Sequence, residues 1–271
     1  MWKSLTTATS LGLAAAAALA PAAIAQEVNV LVSPTYAPME FRDPDTGELK
    51  GLDIDLQDAL ARAAGLTVTW QESSFQQLIP SLTTGRGDVI HSGMSDLPAR
   101  RETLVFLDYM QSGAQFFTTA ERADELSTEE AFCGLKVATP KSTSFPDEIA
   151  AWSAEHCEAA GKPAVVVVGA ESGPDTILQL RQGRVDGGVF GSEVLPYLAA
   201  TGDVPIKAIG EPIASVKQGL AFLKENTELL SVYRDALKQI MESGEYAEIF
   251  AKWDQSVNML DGIHIDGEAV E

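Results

Sequence analysis

The sequence predicts an α/β protein built from two similar lobes, on three observations. Strand-like and helix-like segments alternate along the chain. A faint repeat recurs about 98 residues apart. The length suits one large domain or two of about 120 residues.

The alternation begins with "VNVLVS" at 28–33, a short apolar strand. "DIDLQDALARAAG" at 53–65 sets Leu56, Leu60, Ala63 and Ala64 at helical spacing and ends on a glycine. "LTVTW" at 66–70 alternates as a strand does, "FQQLIPSLTTG" at 75–85 reads as a helix closed by Gly85, and "DVIHSG" at 88–93 returns as a strand. Such layering implies mainly parallel strands, with functional loops at their carboxyl ends. The repeat sets "LTTGRGDVIHSG" at 82–93 over "LRQGRVDGGVFG" at 180–191, and "LVSPTY" at 31–36 over "VATPKS" at 137–142. Each copy would offer a strand end to a shared cleft.

Residues 1–25 carry one cation at Lys3, an alanine-rich apolar stretch and the ending Ala23-Ile24-Ala25, the pattern of a secretory signal cleaved before Gln26. Its apolar stretch is short for a membrane span, which needs about 20 residues, and no cysteine near the cleavage point offers a lipid anchor. Losing Lys3 with the leader takes the formal charge from −20 to −21. That field disfavours nucleic acid and anionic membrane as partners. Cys133 and Cys157 are an even pair in an exported chain and are expected to bond, closing a loop worth about 3 kcal/mol in the chain-entropy model. A metal site with the adjacent His156 is the rival reading, but no second ligand pair accompanies it. His91 and His264 stand alone in the sequence and read as structural or surface residues.

The strings "PTYAPMEF", "GLDIDLQDALARAAG", "FQQLIPSLTTGRGDVIHSGMSDLPARR", "LVFLDYM", "LKVATPKSTS", "LQLRQGRVDG" and "GEYAEIFAKW" together resemble, in register over 28–254, the extracellular solute-binding proteins of family 3. These are the periplasmic polar amino-acid receptors of ABC importers. The resemblance implies a type II periplasmic binding protein, with two lobes joined by two crossover strands and a ligand in the interlobe cleft. By that analogy the first lobe is 26–113 plus 215–271 and the second is 114–214, with crossovers near "SGAQFFTT" and "SVKQGLAFL". It further implies a monomer, a carboxylate-bearing solute and a membrane permease as partners, no catalytic residues, no cofactor and no metal.

The site residues follow from the same register. Arg100, after the "GMS" loop, falls where the family's arginine takes the ligand carboxylate, and a guanidinium fork matches a carboxylate with two parallel bonds that lysine cannot imitate. Ser92, Gly93 and Ser95 would add donors, while Arg101 points elsewhere as a solvated charge. On the second lobe Thr143 and Ser144 precede a helix starting near Phe145. Ser144 is expected both to cap that helix and to contact the ligand. Tyr36 and Phe75 match the rings that sandwich the ligand's aliphatic part.

Two departures concern charge. The family's usual ammonium-binding aspartate is replaced by Gly191, and the acid of the first loop by Ser33. A buried ammonium without a counter-charge is costly. Either Glu193 or Glu40 supplies the charge, or the ligand has no primary ammonium, and the sequence leans to the second: an N-substituted amino acid, a cyclic amidine, a betaine-like or opine-like solute, or an organic acid. A cyclohexadienyl dehydratase on the same fold, with Glu193 as acid, is the alternative function.

Overall fold

The structure, a computed structural model, describes residues 26–270, so the expected signal segment lies outside the described residues. The chain forms β1 (Glu27–Val32), β2 (Thr35–Tyr36), β3 (Glu40–Arg42), β4 (Leu49–Lys50), α1 (Leu52–Ala64), β5 (Thr67–Glu72), α2 (Phe75–Thr83), β6 (Val89–Ile90) and β7 (Leu104–Ser112). There follow β8 (Ala114–Thr119), β9 (Lys136–Pro140), α3 (Phe145–Ser153), β10 (Val166–Ala170), α4 (Gly173–Arg181), β11 (Gly187–Gly191), α5 (Leu195–Thr201) and β12 (Ile206–Ile209). The chain closes with β13 (Val216–Leu223), α6 (Thr227–Ser243), α7 (Glu245–Lys252), β14 (Met259–Ile265) and β15 (Glu268–Ala269). Among the described residues no helix is long and apolar enough to cross a membrane.

The strands sort into two main sheets, ordered β15-β14-β7-β13-β6-β1-β5 and β10-β9-β11-β8-β12. The chain leaves the first sheet at Gly113 and returns to it between Ile209 and Val216. Within each sheet the repeated units are parallel: β1 pairs with β5 and β6, and β9 pairs with β10 and β11. The sheets are nonetheless mixed, because β8 runs antiparallel to β11 and β12, and β13 antiparallel to β6 and β7. A strand that has just crossed from the other sheet enters from the cleft edge, opposite in sense to strands that end there.

Helix α1 buries Leu52, Leu56, Ala59 and Leu60 on one face and carries Asp53 and Asp55 in its first turn, where acids suit the helix dipole. The β6 ladder is shorter than the sequence suggests. Only Val89 and Ile90 pair, since the chain turns away at Ser92 and Gly93 into the cleft loop, with Gly93 at φ 50. That turn uses a backbone region in which glycine is unstrained.

Cys133 and Cys157 form a disulfide, with Cα atoms 5.5 Å apart, and His156 stacks on Trp152 at 5.0 Å between centroids. The bond ties the segment before β9 to the end of the α3 region. Reduction is expected to lower stability by about 3 kcal/mol, read as a fall in the denaturant midpoint with the native fold retained in dilute buffer. An unchanged midpoint would show that the bond constrains nothing.

Candidate ligand-binding site

Between the sheets lies a cavity of about 280 Å³. Its lining comes from the loops at the carboxyl ends of β1, β5 and β6 on one side and of β9 and β10 on the other. Ser33, Tyr36, Phe75, Ser92, Gly93, Ser95, Arg100, Thr143 and Ser144 all line it, so the sequence-expected residues of both lobes meet in one place. Ten of the nineteen lining residues are serine or threonine, which suits a polar solute bound by many hydrogen bonds. The lobes touch across it, Ser95 Oγ lying 3.4 Å from Ser144 Oγ.

Arg100 donates from Nη1 to the Ser95 carbonyl at 2.7 Å and lies 5.8 Å over the Phe75 ring. Burial pulls its guanidinium down to about 10, so it stays a cation at neutral pH. Arg101 is not a free surface charge. It grips buried Asp96 through two nitrogens, Nη2 to Oδ2 at 2.7 Å, because an acid inside this loop must be paired to stay ionised. That fork braces the turn that presents Arg100.

Ser144 also departs from expectation. It occupies the cap position of α3 without a side-chain cap bond, its hydroxyl facing Ser95 instead. Thr143 takes the local role, donating to the Pro140 carbonyl at 2.7 Å and accepting from the Phe145 amide at 3.4 Å.

Gly191 and Glu193 do not line the cavity. Glu193 is buried and its carboxylate is taken by donors from outside its own sheet: Tyr36 Oη at 2.9 Å and Gln218 Nε2 at 2.8 Å to Oε1, and the Ser112 hydroxyl to Oε2. Glu40 does line it. Its Oε1 accepts from Ser92 at 2.8 Å, while buried Oε2 has no protein donor. Ser92 also accepts the Ser33 backbone amide at 3.0 Å. Beside Glu40, Asp53 accepts from the Gly93 amide and the Tyr109 hydroxyl, both at 2.8 Å. Ser73, Ser74, Ser142, Glu171 and Ser172 are lining residues that sequence reasoning did not single out. Their only sequence signal is position, directly after β5, β9 and β10.

Desolvation raises Glu40 well above the usual carboxylate range and lifts Asp53 to about 7, while desolvation and then Asp96 lift Asp108 to about 7. Burial alone pushes His91 down to about 3; its Nδ1 lies 3.0 Å from Gln57 Oε1. The unfolded acids titrate near ~4 and unfolded histidine near ~6.5. Between about pH 4.5 and 6.5 the folded state therefore holds protons on these acids that the unfolded chain has released, against one on His91 held only by the unfolded chain. Stability then rises as pH falls through that window. The ligand-free protein should melt higher at about pH 5 than at pH 7.5, and Asp53→Asn should flatten the difference; a melting point that falls from pH 7.5 to 5 would contradict these burial shifts.

Two α/β lobes joined by two crossovers, with a cavity between them lined from both, define the architecture of a hinged solute-binding protein. The chain belongs to the bacterial extracellular solute-binding proteins, family 3, whose pattern matches residues 28–256. It is 31% identical over 247 residues to the arginine-binding protein ArgT of Corynebacterium glutamicum, covering 90% of this chain and 80% of that one. It is 28% identical to the histidine-binding periplasmic protein of Escherichia coli over 260 residues, 93% of this chain and 96% of the relative. An ancestral arginine-binding protein solved with arginine superposes with a TM-score of 0.74 at 28% identity, covering 84% of this chain and 97% of that one. The chain is accordingly a binding receptor of an ABC importer.

Proposed function

We propose that the protein is a monomeric periplasmic receptor that captures an α-amino acid with a basic side chain, its carboxylate on Arg100 and a cationic group beside Glu40. The observation that carries this reading is the meeting of two complementary groups in one cavity: a desolvated guanidinium with donors to spare, and the Glu40 carboxyl, backed by buried Asp53, whose own Oε2 lacks a protein donor. A zwitterion complements both. Glu40 thus answers the loss of acids at Ser33 and Gly191, and reverses the lean toward a ligand without an ammonium. The relatives named for arginine and histidine point the same way.

A thermal-shift screen across amino acids, betaines and organic acids tests it, since a ligand that binds only the folded state raises stability as RT ln(1 + [L]/Kd). Arginine, lysine or histidine should give the largest shifts. A best ligand without a cationic nitrogen would overturn the reading. With the ligand so found, Glu40→Gln should weaken binding by about 1.5 kcal/mol, roughly tenfold, because hydrogen bonds and contacts to a charged group contribute on that scale. Calorimetry in buffers of different ionisation heat should also show proton release on binding near pH 7, as the cation favours the ionised forms of Glu40 and Asp53, which burial holds protonated.

A further inference from the structure

We propose that Glu193 is a positioning residue for ligand capture: its carboxylate, carried by the second lobe and seated among donors of the first, draws the lobes together and fixes the Tyr36 ring as a wall of the cavity, in a volume that Gly191 leaves open. The proposal rests on the receptor reading but not on the identity of the ligand.

Each side-chain partner of the carboxylate belongs to the other lobe: the hydroxyl of Tyr36 from β2, that of Ser112 at the end of β7 and the amide of Gln218 from β13. Gln255, after α7, holds the backbone as well, its Nε2 lying 2.8 Å from the Glu193 carbonyl oxygen. Three donors converging on two oxygens match an ionised carboxylate, which only accepts. A charge is costly to bury unless donors surround it; Ser112 stands at the crossover, where its neighbour Gly113 accepts the Ser192 amide, but the Tyr36 and Gln218 donors arrive only with the other lobe. When the lobes part, water replaces them, so the contact favours closure without making it irreversible.

Tyr36 is gripped twice by this loop. Its hydroxyl donates to Glu193 Oε1 at 2.9 Å and accepts from the Gly191 amide at 3.2 Å. Burial and the neighbouring Glu193 raise its pKa, which keeps it a donor. Its ring lies against Gly93, where an added Cβ would stand 3.3 Å from Cδ1. The ring is therefore set from its face by the first lobe and from its hydroxyl by the second. Gly191 completes the device, because a Cβ there would lie 2.2 Å from Oε1 and 2.3 Å from Oε2 of Glu193. The two positions act together: one residue gives up its side chain and the other fills the space with a carboxylate committed to the protein rather than to the ligand.

The test needs no ligand. With one spin label on each lobe, pulsed dipolar spectroscopy on the ligand-free protein should show a short-distance, closed population. That population should fall at least about threefold in the isosteric Glu193→Gln and in Tyr36→Phe, and the double variant should lose no more than the worse single one, since they share a contact. Melting points within about 2 °C of the parent would show that the fold itself is intact. A parent with no closed population, a distribution unchanged by Glu193→Gln, or additive losses in the double variant would overturn the proposal. L-Arginine serves as a second probe: where it binds the parent, its dissociation should quicken about tenfold in Glu193→Gln with association nearly unchanged. Failure of L-arginine to bind, with the distance changes present, would count against the ligand assignment alone.

Discussion

Arg100→Lys is expected to remove nearly all ligand binding while leaving the melting point of the ligand-free protein unchanged. The guanidinium spends one nitrogen on the Ser95 carbonyl and rests over Phe75, which leaves its remaining donors for a carboxylate. A lysine ammonium could replace the bond to Ser95 or the one to the ligand, but not the planar fork that makes both. Truncating one partner of a buried charge pair costs about 2–4 kcal/mol, at least thirtyfold in Kd. Calorimetry with the ligand found by screening decides it, and a change below about threefold would remove Arg100 from the site.

Gly191→Asp should be the most damaging single substitution in the cleft. Its Cβ would meet the Glu193 carboxylate inside contact distance, and the new acid would stand against an existing one with no cation beside either. Overpacking alone costs about 1–3 kcal/mol, and the like charge adds to it. We expect a fall of about 4 °C or more in melting point and loss of measurable binding. Removing the obstacle in Gly191→Asp/Glu193→Ala should recover most of the melting point. A single variant as stable as the parent would show that Glu193 can leave its seat at no cost.

Much of the lining was legible before any coordinates. The period of apolar residues marks β1, α1 and α2, and strands of that layering bring their carboxyl-end loops to a common cleft. Hence the loops that carry the lining could be placed by their position after strands, while Tyr36, Phe75, Arg100 and Ser144 were singled out within them by register with the family the chain resembles. Arg101 and Ser144 show the limit. Whether an arginine is solvated or forks onto Asp96, and whether a serine caps its own helix or faces Ser95, depends on groups that local periodicity does not carry.

The pattern of the chain by itself determined the α/β layering, the strand ends that carry the cavity and the pairing of Cys133 with Cys157. These depend on hydrophobic period, chain direction and the redox history of an exported protein, all of which are local or compositional. Only the tertiary structure decided where the acids act. Glu193 meets Tyr36 across 157 positions and Glu40 meets Ser92 across 52, so each carboxylate acquires its partners and its burial only when the sheets close around it. Desolvation and donor geometry, which assign one acid to the lobes and leave the other beside the cavity, are properties of that closure and of no single stretch of sequence.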